Sequence, residues 1–144
     1  MNKKNIVYDK ALDFSVRVVN LYNFLDQKGA AAVMSKQLLR CGTSIGANIS
    51  ESISAESDLD FIHKLAIAQK EAEETLYWLV LLKRTNFLTE VQYSSMNQDC
   101  VEIKKLLTSI IVTSKQKKNN YATHEANVKI SICHACSSHT MIHI

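Results

Sequence analysis

Three features of this 144-residue chain predict an all-α fold, an antiparallel up-down-up-down four-helix bundle. Proline is absent and glycine occurs only three times, so little in the chain interrupts a helix. Apolar residues recur at alternating three- and four-residue steps, the period of one buried stripe on a helix. Four such stretches of about 23 to 28 residues, each roughly 35–40 Å long at 1.5 Å per residue, match one another in length. The links between them are short, which forces neighbouring helices to run antiparallel.

The first helix is expected over Ile6–Lys28, with Ala11, Phe14, Val18, Leu21 and Leu25 as its apolar stripe and Gly29 as its stop. The second occupies Ala32–Ala55. Ser57-x-x-Asp60 signals the start of a third, which uses Leu65, Ala68, Ala72, Leu76, Leu79 and Leu82 and runs to Arg84. Thr85-Asn86-Phe87-Leu88 breaks it, and Thr89-x-x-Gln92 is a second capping box. The fourth helix carries Tyr93, Met96, Cys100, Ile103, Leu107 and Ile110, the cleanest heptad in the chain. Lys115-Gln116-Lys117-Lys118-Asn119-Asn120 ends it in positive charge, which suits the negative end of the helix dipole. The bundle domain is therefore expected over residues 1–118. Residues 119–144 are poor in charge and have lost the heptad; they are expected as a non-bundle tail, either disordered or with a short strand around Val128–Ile132.

The second helix contains an unusual run, Gln37-Leu38-Leu39-Arg40-Cys41-Gly42-Thr43-Ser44-Ile45-Gly46-Ala47-Asn48-Ile49-Ser50-Glu51. Leu38, Cys41, Ile45 and Ile49 form the core stripe. Gly42, Gly46 and Ser50 make a separate row at i, i+4 spacing, and Thr43 and Ala47 lie opposite the core. Each glycine inside a helix costs roughly 1 kcal/mol against alanine, a cost that close backbone packing would explain. The expectation is that this row and Thr43/Ala47 contact another helix, within the bundle or across a subunit boundary, with Arg40 beside that seam.

Little in the chain points to catalysis. There is no nucleophile elbow, phosphate loop or dinucleotide fingerprint, and Thr43 and Ser44 lack an identifiable base. A two-metal bundle centre needs a Glu-x-x-His from each of two helices. Asp60-x-x-His63 has no second such partner, and Glu71 and Glu74 alone do not complete one. The tail offers Cys133-x2-Cys136-x2-His139-x3-His143 as weak zinc-ligand candidates, but only two residues separate the Cys and His pairs where a zinc finger has about a dozen. No cofactor is expected. No apolar stretch approaches the about 20 residues needed to span a bilayer, and no signal peptide opens the chain, so a cytoplasmic protein with reduced cysteines and no membrane partner is expected.

Positive charge is the remaining lead. The net charge is +3. Lys36 and Arg40 lie one turn apart on the second helix, Lys83 and Arg84 end the third, and Lys104 and Lys105 sit in the fourth. A folded array of such groups binds phosphate backbones, and a ring of subunits repeats each patch.

These residues also carry a resemblance. The run from Gln37 to Glu51, with Ser57-x-x-Asp60-Phe61-Ile62, Leu65-x-Ile67-Ala68 and Lys70-Glu71-Ala72-x-Glu74-Thr75, resembles the signature of the 23S ribosomal-RNA intervening-sequence proteins, also called S23 ribosomal proteins, over residues 5 to 115. That family is similar in turn to the accessory variability determinant of diversity-generating retroelements, a pentameric ring that binds nucleic acid and a reverse transcriptase. The resemblance implies an all-α subunit, a homopentamer and a non-enzymatic role in binding structured RNA or RNA–DNA hybrids. Its alternative is a scaffold that recruits a reverse transcriptase or other protein; a metal-binding role for the tail is a weaker third reading. Ser52 stands where relatives often have glycine, and the Cys/His-rich tail has no counterpart in the resemblance.

Overall fold

The computed structural model describes residues 5–25 and 27–137, with side chains through 123. Four helices follow one another: α1 (Ile6–Phe24), α2 (Gly29–Ile53), α3 (Asp58–Arg84) and α4 (Glu90–Ser137). α1 packs on α2, α2 on α3 and α3 on α4, and α4 closes the bundle against α1. Cross-helix contacts fix the directions. Arg40 reaches Glu74 while Glu51, farther along α2, meets Lys64, earlier on α3. Lys104 pairs with Glu73 while Thr108 meets Gln69. Lys10 pairs with Glu102 and Arg17 with Asp99. Each neighbouring pair is antiparallel, as the short links require.

The buried stripes agree closely with the periodicity. Ala11, Phe14, Val18, Leu21 and Leu25 are buried on the α1 side, Leu38, Cys41, Ile45 and Ile49 on α2, and Leu65, Ala68, Ala72, Leu79 and Leu82 on α3. On α4 Met96, Cys100, Ile103 and Leu107 are buried, but Ile111, not Ile110, is the next core residue. A 3.6-residue turn drifts from a 3.5-residue heptad, and the four-residue step from Leu107 keeps the stripe on the core.

Both predicted helix starts are capped, and the second closes as a reciprocal box. Ser57 Oγ accepts the Asp60 N–H at 3.1 Å. Thr89 and Gln92 satisfy each other, the Thr89 N–H donating to Gln92 Oε1 at 2.9 Å and the Gln92 N–H to Thr89 Oγ1 at 3.3 Å. α3 stops at Asn86, whose φ of +63° places it in the left-handed region, where asparagine is tolerated. The Phe87 N–H then returns to the Leu82 carbonyl at 2.9 Å.

Two boundaries differ from the sequence reading. α1 ends at Phe24, because Leu25 turns extended to bury its side chain, and the Gln27 amide donates to the carbonyls of Tyr22 and Leu25 at 2.7 and 2.9 Å. Gly29 therefore does not stop α1; it opens α2 at φ +56°. At the other end, α4 does not finish near Lys118. It continues as helix to Ser137, including Val128–Ile132, where a strand had been the alternative. Proline-free sequence lets the backbone continue after the apolar stripe stops. Ile111 is the last buried α4 residue among the described side chains, and Lys115–Thr123 are exposed, so the helix continues past the bundle core. At 1.5 Å per residue α4 is about 72 Å long.

Candidate nucleic-acid interface

The small-residue run divides into two surfaces. An added Cβ on Gly42 would lie 2.9 Å from both γ-carbons of Val18, and one on Gly46 would lie 3.1 Å from Ser15 Oγ and 3.5 Å from the Ala11 carbonyl oxygen. The glycines thus let α2 approach α1 closely within the chain. Thr43 is half-buried and turns its hydroxyl back to its own helix, donating to the Leu39 carbonyl at 2.7 Å. Ala47 and Ser50 are exposed in the single chain.

Just outside that seam lies an apolar strip. Leu12, Val16 and Val19 are 50%, 54% and 40% exposed and recur at i, i+4, i+7 on α1. Each follows by one position a residue (Ala11, Ser15 or Val18) that approaches Gly42 or Gly46. Thr43 and Ala47 likewise follow those glycines by one position. The two outer rows are therefore side by side, with Lys36 and Arg40 exposed on the same helix as Thr43 and Ala47.

Arg40 turns away from this seam. Its guanidinium meets Glu71 at 3.4 Å and also pairs with Glu74, both on α3. The Trp78 indole N–H donates to the same Glu74 at 3.2 Å. The Arg40 and Trp78 hydrogen bonds hold the Glu74 carboxyl below the usual carboxylate range, Arg40 being the stronger cause.

The other predicted cations collect on α3 and α4. Lys83 pairs with Glu90 at 2.6 Å and stands 4.6 Å over the Tyr93 ring; Lys104 pairs with Glu73. Arg84 and Lys105 are exposed and make no ion pair among the described residues, and the same is true of Lys36 on α2. The structure adds two residues that sequence reasoning missed. Lys70 and Tyr77 share an exposed α3 row with His63 and Arg84, one residue every heptad. That seven-residue spacing was visible in the sequence, but only the fold shows that the row faces outward. Solvent-accessible ion pairs contribute roughly 0–1 kcal/mol, so Lys83 and Lys104 are held only weakly by their carboxylates.

A separate cleft of about 540 Å³ opens beside the start of α1, lined by Val7, Ile49, Phe61, Leu65 and Ile110 among others, with no titratable side chain in its lining. Among the described residues no group of three metal-ligating side chains converges. Cys133 and Cys136 fall on the helical backbone of α4, but their side chains, and His139 and His143 altogether, lie outside the described residues. No described helix is long and apolar enough to cross a membrane.

Residues 3–109 match the model of the 23S rRNA-intervening sequence protein family. The chain belongs to this family. It is also similar to a crystal structure from Bacteroides thetaiotaomicron VPI-5482, described as a protein of unknown function from the S23 ribosomal protein family. The two share 62% identity over 73% of this chain and 97% of that one, with a TM-score of 0.70. No curated protein matches the chain. The 23S rRNA-intervening sequence protein match ends two residues before Ile111, so the overhanging part of α4 lies beyond the family region.

Proposed function

We propose that this protein works without catalysis, as a cytoplasmic homo-oligomer that binds structured RNA or RNA–DNA hybrids through the outer face of α3 and α4. The carrying observation is that Lys70, Arg84 and Lys105 stand exposed there without an ion pair among the described residues, while the neighbouring carboxylates Glu73, Glu74, Glu90 and Glu102 are each engaged by a cation. Phosphate backbones reward such an excess through counterion release, a term that requires no base-specific contact. Family membership, and the ribosomal RNA in the family's description, support the same reading.

The apolar strip of Leu12, Val16 and Val19 supports self-association beside Thr43 and Ala47, since contiguous exposed apolar surface marks interaction sites. A pentamer, as the resemblance implies, would present the cationic face five times and raise avidity without new contacts. The test is binding of a structured RNA at several salt concentrations, with solution mass measured in parallel. Affinity that falls steeply with salt supports the proposal, and absence of binding at low salt overturns it. The same strip favours the second reading, a scaffold for a reverse transcriptase or other protein; partner capture that survives nuclease, without RNA affinity, would select it.

A further inference from the structure

We propose that the outer face of α3 is a stacking site for an unpaired nucleobase, with Tyr77 as the platform and Lys70 and Arg84 holding phosphates on either side. The inference rests on the RNA-binding reading and deepens it by naming the part of the nucleic acid recognised. Tyr77 is 60% exposed, a large ring left in water between two exposed cations. Lys70 precedes it by seven residues and Arg84 follows it by seven, and both are exposed on the same row. Two heptads span about 21 Å at 1.5 Å per residue, room for a segment of a few nucleotides.

The ring is braced from below. Trp78 meets it edge-on, with centroids 5.1 Å apart and an interplanar angle of 77°. Trp78 is in turn tied through its indole N–H to Glu74, and Glu74 to Arg40. The Trp78 edge limits the Tyr77 ring on one side, which lowers the ordering cost of stacking on it. The carboxylates nearest the row, Glu73 and Glu74, are each engaged by a cation, Lys104 and Arg40. They therefore repel an arriving phosphate less than free carboxylates would. An aromatic face accepts any base, while a base inside a duplex hides its face in the stack. The geometry thus adds affinity where a loop, bulge or single strand offers an unpaired base, beside the backbone contacts that a continuous helix can also make.

The experiment measures affinity for two probes of equal length, an unstructured 15-nucleotide oligouridylate and a fully paired RNA duplex, with the full chain and with Tyr77→Ala and Tyr77→Phe. Because Tyr77 is exposed, both variants should fold, which thermal unfolding followed by circular dichroism checks. Base–aromatic stacking of about 1–3 kcal/mol corresponds to a roughly 5- to 150-fold loss. The expected result is a loss in that range for Tyr77→Ala on the oligouridylate, little change on the duplex, and retention by Tyr77→Phe. Equal losses on both probes, or none on either, overturn the stacking site while leaving phosphate binding intact. If the unmodified chain binds neither probe at low salt, the RNA-binding reading itself fails, and Tyr77 becomes a candidate protein contact instead.

Discussion

The outer surfaces of α1–α2 and α3–α4 are built from the same helical geometry and differ in the chemistry of their middle turns. On α1–α2, exposed Leu12, Val16 and Val19 lie beside the small residues Thr43 and Ala47, with Lys36 exposed on the same helix and Arg40 drawn to α3. On α3–α4, Lys70, Arg84 and Lys105 stand exposed around Tyr77, and Lys83 and Lys104 add paired charge. A uniform soluble surface would mix these residue types. Their separation suggests a division of labour, one side for copies of the chain and the other for polyanions.

The largest effect should come from the seam that supports the first side. Gly42→Val drives a branched side chain into buried Val18 and is expected to cost about 3 kcal/mol, the upper end for overpacking. Denaturant unfolding reads the loss directly. Gly46→Ala is the contrast: its Cβ meets the Ser15 hydroxyl at 3.1 Å, which can rotate away, while alanine gains about 1 kcal/mol of helix propensity. The net change should stay within about 1 kcal/mol. Val16→Glu tests the apolar strip itself. It should lower the mass in solution while leaving the helical content and the unfolding of the subunit intact, because Val16 is 54% exposed. An unchanged mass would remove the division of labour.

The core offers a milder test. Burial, the main cause, and the neighbouring Cys41 push the Cys100 thiol up to about 12, so it remains protonated at neutral pH. Modification of Cys100 by a thiol reagent should keep pace with unfolding; fast labelling of the native protein would contradict the packing described. The smallest effect belongs to the brace behind Tyr77. Glu74 has its folded pKa depressed, so its contribution is present above the ordinary carboxylate pKa and is lost as pH falls through the lower folded value. Solvent reaches this pair, and Glu74→Gln should therefore cost less than about 1 kcal/mol at neutral pH and nothing in acid. Unfolding compared at the two pH values measures it.

Much of the fold was legible because the core is periodic. Residues such as Phe14, Ile45, Leu65 and Ile103 announce their burial by spacing, and Ser57 and Thr89 mark helix starts by local hydrogen bonding that needs no tertiary context. The length of α4 was not legible, since residues after Ile111 lose the apolar stripe from which helices are read, while the backbone keeps its hydrogen bonds without it. The site was legible by halves. Lys83, Arg84, Lys104 and Lys105 stood out as charge, but Arg40 could not be placed without α3, whose Glu71 and Glu74 claim it. Tyr77 gave no signal because an aromatic beside Trp78 in an apolar stretch reads as core until the helix is rotated into place.

Salt-dependent RNA binding by the full chain, beside a variant carrying Lys70→Gln, Arg84→Gln and Lys105→Gln, tests the division of labour most directly when the mass of each is measured in the same buffers. Loss of three phosphate contacts should reduce the slope of log affinity against log salt by about two to three, with the mass unchanged. An identical slope, or a loss of binding that only follows dissociation of the oligomer, would contradict the assignment of polyanion binding to α3 and α4.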